Sequence, residues 1–228
     1  MKMNNTYELL MSLPIFNGAS HDRLLQIVET TKLDFLKFQE GEQIISTGNQ
    51  CTDLKLIISG DVRVSITTND GQISVSQCLS APNIIAPEYI FGRTTKYPCD
   101  AHAISAVGIL QISKSDYLKI LKSDEIFLIN FLNIISSNAQ KSIEGAIAMT
   151  ELNTEKRIAL IVSSLTQQGG TDITNAGINN NLTSIFGDNA DSSAKETLKA
   201  MKSKGLIDYN SSEIKIVDRR AIIDIIRN

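Results

Sequence analysis

Two consecutive segments decide the fold, FQEGEQIISTG at residues 38–48 and DLKLIISGDVRV at residues 53–64. Apolar and polar residues alternate over residues 53–56 and 61–64, and Gly41, Gly48 and Gly60 punctuate the two segments. A period of two is typical of strands with one buried face. Glycine tolerates the positive φ that many tight turns require. The two segments therefore predict short strands joined by tight turns.

The alternating pattern extends over residues 32–113, where short β-branched runs are separated by turn signals. Asp70-Gly71 is the strongest hairpin signal, because glycine reaches the positive φ of a tight primed turn. Two short helices are expected before the strands, at residues 6–11 and 22–30. Many short strands at regular spacing predict an antiparallel sandwich or barrel.

A continuous helical pattern follows at residues 124–152. Apolar and small residues recur in it at alternating spacings of four and three, which is typical of a helix that pairs along one seam. The seam residues are Leu128, Leu132, Ile135, Ala139, Ser142, Ala146 and Met149. A helix of this length is too long to be covered by one small domain. We therefore expect it to pair with the same helix of a second copy at a two-fold axis. The alternative is a helix that lies wholly against its own β domain.

The remaining residues predict a second domain that begins near residue 154. Its order, a helix, a helix-turn-helix and a β-hairpin, is that of a winged helix. The predicted helices are 154–168, 181–186, 192–204 and 219–227, the predicted strands are 206–209 and 213–217, and 171–180 is predicted to be a loop.

The order of these parts, with the glycine-bearing segments at residues 38–64, resembles the Crp/Fnr family of bacterial regulators over nearly the whole chain. The resemblance implies an α+β fold with three parts. These are an N-terminal antiparallel β-roll of the double-stranded β-helix or jelly-roll type at 1–122, a dimerisation helix at 123–152 and a winged helix-turn-helix at 153–228. It also implies a cytoplasmic homodimer that binds double-stranded DNA to regulate transcription, with RNA polymerase as a further candidate partner.

In family members that bind cyclic AMP, a Gly-Glu pair holds the ribose and an Arg-Ser-Ala run holds the phosphate. Here Ala86-Pro87 stands in the Gly-Glu place, with Glu88 displaced by one residue. Cys99 stands in place of the arginine, and Asp100 in place of the serine. A phosphodiester requires fixed cationic donors, which a thiol and a carboxylate do not supply. We therefore expect the β-roll to sense something other than a cyclic nucleotide.

Arg93 and Lys96, in the loop between these segments, are the alternative source of positive charge for a phosphate. The candidate ligand-pocket residues are accordingly Ala86, Pro87, Glu88, Arg93, Cys99 and Asp100.

The DNA-reading end also departs from the family. Asp191 and Glu196 stand at positions where family members place base-reading arginines, and carboxylates are repelled by phosphates. The nearby lysines would instead hold the DNA backbone. The candidate DNA contacts are Ser192, Ser193, Lys195, Lys199, Lys202 and Lys215. The alternative is a degenerate sensor or scaffold dimer that does not bind DNA.

Composition limits which other kinds of protein and site the chain could contain. A net charge of −3 argues against a wholly basic nucleic-acid coat. The three cysteines lie far apart, so neither a disulfide framework nor a four-thiolate cluster is expected within one chain. The lone histidines His21 and His102 are interpreted as structural, and no metal, cofactor or catalytic site is predicted. We also expect no signal peptide and no membrane span.

Overall fold

The computed structural model describes residues 2–67, 74–148, 150–151, 153–164, 175–179, 191–210 and 213–227. The chain divides into two compact units, residues 1–64 with 79–138, and residues 65–78 with 139–228. The predicted turn at Asp70-Gly71 and the predicted helix at 181–186 lie outside the described residues. No helix within the described ranges is long and apolar enough to cross a membrane.

The first unit opens with helices and continues as antiparallel β structure. Its helices are α1 (Lys2–Ser12) and α2 (His21–Thr30), with a short 3-10 turn between them at Pro14–Phe16. Its strands are β1 (Asp34–Phe38), β2 (Gln43–Ile45), β3 (Asp53–Ser59), β4 (Asp61–Thr67), β5 (Ser74–Ser80), β6 (Asn83–Ile85), β7 (Asp100–Ala103) and β8 (Val107–Ser113), of which β4 and β5 run on into the second unit. One sheet has the order β1-β8-β3-β6, and β2 pairs with β7.

The predicted turn glycines are confirmed. Gly41, Gly48 and Gly60 all adopt positive φ, between +80° and +85°. At Gly60 a second constraint applies, because an added Cβ would lie 2.3 Å from the backbone oxygen of Ala106. The turn after β3 therefore requires glycine for both its dihedral angle and its close approach.

The core of the first unit lies between its sheets and under its helices. Alternate residues of β3, among them Leu54 and Leu56, are fully buried and face their antiparallel partners on β8, such as Ile112 and Leu110. Phe16 packs edge-on against Phe127 of the following helical region, with ring centroids 5.8 Å apart. The prediction of an antiparallel β core beside a long helix is confirmed.

Two helices follow β8: α3 (Lys114–Ser123) and α4 (Glu125–Ala148). The 24 residues of α4 span about 36 Å at 1.5 Å per residue. The prediction that this helix continues to about residue 152 was wrong. The Thr150 amide donates to the Ile147 carbonyl at 2.9 Å in a turn, and the Asn153 side chain accepts from the Lys156 amide at 3.1 Å. A cap of this kind begins a new helix.

The second unit contains α5 (Thr154–Ser164), β9 (Asn175–Asn179), α6 (Asp191–Ser203), β10 (Ile207–Tyr209), β11 (Glu213–Ile216) and α7 (Arg219–Arg227). Its core is formed by buried side chains from the helices and the β10–β11 pair, including Ile158, Leu198, Met201, Ile214 and Ile222.

The prediction of a loop over 171–180 was wrong for residues 175–179. Strand β9 pairs with β11 on one side and with residues 74–77 of β5 on the other. Backbone pairing on both edges gives its amides and carbonyls partners, so a polar segment with weak strand propensity still forms a strand.

Candidate functional site

The candidate ligand loop, residues 86–91, follows β6 and contains a 3-10 turn at Pro87–Tyr89. Ala86 begins it in the left-handed region, at φ 46° and ψ 51°. This conformation costs a residue with a Cβ about 1–2 kcal/mol. Pro87 and Ile90 are buried and anchor the loop, whereas Glu88 between them is exposed. The loop therefore holds a strained backbone between two apolar anchors.

Cys99 occupies the place where the resemblance puts a phosphate-binding arginine. Its side chain is 2% exposed. Burial raises the pKa of the thiol to about 11, and the negative charges of Asp100 and Glu88 add to this effect. The thiol is therefore neutral at physiological pH and supplies neither a positive charge nor a strong donor.

Asp100 is engaged inside the β-roll. Its Oδ1 accepts a hydrogen bond from the Thr47 backbone amide at 2.9 Å and another from Gln43 Nε2 at 3.2 Å. Hydrogen bonds to a charged acceptor are among the stronger ones. The carboxylate thus ties the start of β7 to the first residue of β2 and to the segment just after β2, and it adds a second negative charge near Cys99.

Glu88 reaches the long helix. Its carboxylate accepts a hydrogen bond from Asn138 Nδ2 of α4. Its charge also contributes to raising the pKa of the neighbouring Tyr89, for which burial is the larger cause. Of the predicted pocket residues, Glu88 and Asp100 are therefore both close enough to Cys99 to raise the pKa of its thiol.

The predicted alternative cations, Arg93 and Lys96, lie outside the group formed by Glu88, Cys99 and Asp100. Arg93 and Lys96 are exposed, and Lys96 forms a backbone bridge with Gln50. In the described part of the chain, no hydrogen bond or ion pair joins Arg93 to Glu88, Cys99 or Asp100. The group as described carries negative charge without a paired cation.

The seam predicted on α4 is largely exposed within the single chain. Leu128 is 42% exposed and Leu132 is 53% exposed, while Ile135 is half-buried at the edge of the core. Phe127 and Phe131, on a neighbouring face, are buried against the first unit. Over residues 125–138, α4 therefore presents one apolar face to the rest of the first unit and a second one outward.

Helix α6 carries the predicted DNA contacts. Lys195 and Lys199 are exposed, and Lys202 pairs with Asp208 at 2.6 Å while its Nζ lies 5.2 Å from the Tyr209 ring centroid. Successive residues advance about 100° around a helix, so these lysines fall within about 60° of one another. Ser192 and Ser193 belong to the first turn of α6, and Lys215 is half-buried on β11.

Glu196 lies beside the lysines, about 60° around α6 from Lys199. With Thr197, Ala200 and Lys204 it lines a groove of about 380 Å³ against Asn153–Glu155 at the start of α5. Lys204 crosses this groove to pair with Glu155 at 2.9 Å. Among the described residues, no ion pair joins Glu196 to Lys199.

Sequence reasoning missed Asn138 and Thr47. Asn138 lies seven residues after Phe131, so both belong to the face of α4 that packs on the first unit. A heptad seam is recognised by its apolar and small residues, and an asparagine gives no such signal. Thr47 acts through its backbone amide, which leaves no trace in the sequence.

Comparison with known proteins shows that part of the chain is similar to one protein family. Residues 35–124 match the cyclic nucleotide-binding domain. The match covers β1 to β8 and α3 and includes every candidate pocket residue. No curated protein sequence matches the chain.

Solved structures extend the likeness to most of the chain. A Crp/Fnr-family transcriptional regulator from Eubacterium rectale shares 18% identity over 95% of this chain and 99% of its own, with a TM-score of 0.56. FixK2 from Bradyrhizobium japonicum shares 11% identity over 85% of this chain and 97% of its own, with a TM-score of 0.54. The sensor domain of the transcriptional regulator DNR from Pseudomonas aeruginosa shares 21% identity over 61% of this chain and 92% of its own, with a TM-score of 0.53. The fold therefore resembles that of Crp/Fnr regulators.

Proposed function

We propose that the chain is a homodimeric, DNA-binding transcription regulator whose β-roll responds to a signal other than a cyclic nucleotide. The observation that carries the proposal is the lysine face of α6. Lys195 and Lys199 are exposed there, next to the buried residues that fix α6 on its own core. A helix fixed on one side and cationic on another is suited to lie along a phosphate backbone.

The arrangement around α6 supports a winged helix. In this proposal α6 is the recognition helix and the β10–β11 pair, with Lys215 on β11, is the wing. The other helix predicted for the helix-turn-helix, at residues 181–186, lies outside the described residues. In a dimer, two such helices would enter successive major grooves about 34–36 Å apart.

The exposed seam of α4 supports a dimer. A second copy of the helix would cover Leu128 and Leu132. Each buried leucine or isoleucine contributes about 1.5–3 kcal/mol when it leaves water. Such a seam gives the closed two-fold symmetry that a palindromic DNA site requires.

The chemistry near Cys99 supports a signal that is not a cyclic nucleotide. A neutral buried thiol and an engaged carboxylate stand where a phosphate would need cations. The proposal includes no catalytic step and no cofactor. It includes RNA polymerase as a further partner, through which a DNA-bound dimer would affect transcription.

The test is a selection of genomic fragments with the full-length protein at two salt concentrations, followed by retardation assays on the selected fragments. We expect binding that weakens steeply with salt, because cations released from DNA drive it. Calorimetry with cyclic AMP and cyclic GMP should show no binding at micromolar concentrations. Micromolar affinity for either nucleotide would overturn the proposed signal class and would point to Arg93 or Lys96 as its phosphate partner.

A second candidate function is a sensor or scaffold dimer that does not bind DNA. Two ion pairs within the second unit favour it, because they engage α6 cations internally: Lys202 with Asp208, and Lys204 with Glu155. The first residue of α6 is also an acid, Asp191. This candidate predicts a stable dimer that retards no genomic fragment even at low salt.

A further inference from the structure

One face of the sheet β1-β8-β3-β6 changes from buried to half-exposed along β3. Successive residues of a strand lie on opposite faces of a sheet, so Lys55 and Ile57 lie on the face away from Leu56. Ile57 pairs with Ile109 of β8, and both side chains are buried. Lys55 pairs with Gln111 of β8, and both are half-buried. Lys55 therefore lies at the boundary between the apolar part of this face and solvent.

The amine of Lys55 is held by a neutral group. Its Nζ donates a hydrogen bond to Gln111 Oε1 at 2.7 Å, across the two strands. Other described lysines, such as Lys119 beside Asp116 at 2.7 Å, form ion pairs. In the described part of the chain, no ion pair joins Lys55 to a carboxylate. A carboxylate favours the ammonium form of a lysine, whereas an amide oxygen also accepts a hydrogen bond from the neutral amine.

The surroundings of Lys55 favour the loss of its proton. Burial lowers the pKa of the amine, and the nearby Asp53 and Cys51 oppose this effect without reversing it. Lys114 of α3 acts on Cys51 and adds a positive charge near the start of β3. The neutral, nucleophilic form of Lys55 is therefore more populated than that of an ordinary exposed lysine.

The strands on either side of Lys55 bring little charge to the amine. Ile85 of β6 is in register with Lys55 and is apolar. On the other side, Asp34 of β1 is in register with Gln111, so Gln111 lies between that carboxylate and Lys55. The amine is therefore flanked by an apolar residue and a neutral amide.

We propose that Lys55 is a site of acylation by small acyl phosphates. The ammonium first loses one proton to water, and the neutral Nζ attacks the acyl carbon to form an N–C bond. The C–O bond to phosphate breaks, phosphate leaves with the electron pair, and a second amine proton passes to it. A small reagent is required because Lys55 is half-buried. The proposal goes beyond the proposed function and does not depend on it.

The acylated side chain would keep its hydrogen bond. It retains one N–H, which can donate to Gln111 Oε1 as the amine does. The positive charge, which burial disfavours, is lost. At Lys119, by contrast, acylation would remove a charge that pairs with Asp116. Lys55 therefore loses less on acylation than a lysine in an ion pair.

The test incubates the full-length protein with acetyl phosphate at about pH 7.5 and follows the acylation of each lysine by mass spectrometry. Lys37 is the matched control, because it is an exposed lysine on β1 of the same sheet. We expect Lys55 to be acylated about three- to fivefold faster than Lys37, because more of it is neutral. An equal or slower rate at Lys55 would overturn the proposal.

A second pH separates proton loss from access to the reagent. At about pH 10.5 an ordinary lysine is already about half neutral, so the ratio of the Lys55 rate to the Lys37 rate should fall towards one. A ratio that stays as high as at the lower pH would mean that proton loss is not the cause, and the proposal would fail.

Gln111→Glu tests the neutral partner directly. The substitution places a carboxylate beside the amine and holds it in the ammonium form, so we expect acylation of Lys55 to become about tenfold slower while that of Lys37 is unchanged. Unchanged rates at both lysines would overturn the proposal. The comparison of Lys55 with Lys37 in the wild type does not need this variant to fold. Neither rate depends on dimerisation or DNA binding, so the proposed function can fail while the acylation site stands.

Discussion

The candidate ligand site and the outward faces of α4 and α6 differ in the surroundings of their side chains, which are hydrogen-bonded or buried at the site and exposed on the two helices. In the β-roll, Asp100 is bonded to Thr47, Glu88 to Asn138, and Cys99 is buried and neutral. On α4, Leu128 and Leu132 are exposed, as is Lys199 on α6. A group whose partners lie within the chain stabilises the fold, whereas an exposed apolar or cationic face gains from a partner. The difference separates the residues expected to affect stability from those expected to affect assembly and DNA binding.

The largest effect is expected at the seam of α4. Replacing Leu132 and Ile135 together by Asp would bury unpaired charge in a dimer, at a cost of several kcal/mol, roughly 3–5. The variant should sediment as a folded monomer, while Asn133→Asp, off the seam, should remain a dimer. A double variant that still sediments as a dimer would place the interface elsewhere.

A smaller effect is expected inside the β-roll at Asp100. Asp100→Ala removes the acceptor of the Thr47 amide, which should lower the free energy of unfolding by about 2 kcal/mol. Asp224→Ala, at an exposed position of α7, is the control and should change it by less than about 0.5 kcal/mol. Denaturant unfolding measures both. An Asp100→Ala variant as stable as wild type would mean that the carboxylate is free for a ligand.

The strained loop should respond in the opposite direction. Ala86→Gly removes the steric cost of the left-handed backbone and should raise the free energy of unfolding by about 1 kcal/mol. Ala103→Gly, in strand β7, should lower it by about as much, because glycine loses more conformational freedom in a strand. If Ala86→Gly also destabilised the protein in thermal unfolding, the loop would not be strained at this position.

The smallest effects are expected for substitutions on α6, and they are measured as changes in the affinity for DNA. Lys199→Ala should weaken binding to all sequences by a similar factor and lower the salt slope by about one unit per half-site. The exposed Lys37 on β1 is the control. Glu196→Ala should tighten binding slightly and to all sequences alike, because it removes a carboxylate that the phosphates repel. A selective loss at a single C·G pair in the Glu196 variant would instead identify a base contact.

Local features were predictable and distant pairings were not. The glycines at 41, 48 and 60 mark turns because their dihedral angles depend on the residue itself. Strand β9 depends on pairing with segments far away in the chain, so its polar sequence indicated a loop. The end of α4 depends on the cap that Asn153 gives the next helix.

The features of the candidate site also divide into those that the sequence could predict and those that it could not. Replacement of the expected cation by Cys99 could be seen in the sequence, because it requires only an aligned motif. The engagement of Asp100 by a backbone amide could not, since amides are the same at every position. The contact between Glu88 and Asn138 joins residues fifty positions apart, and neither residue type specifies such a partner.

The pairing of β5 with β9 also has a consequence for biosynthesis. The second unit draws on residues 65–78 as well as 139–228, so its parts leave the ribosome at different times. Gln77 emerges roughly a hundred residues before its partner Ala176, which at 5–20 residues per second is about 5–20 s. During that interval the outer edge of β5 presents unpaired amides and carbonyls to other nascent chains. Slow translation between these two segments would therefore lengthen the exposure of this edge and favour mispairing.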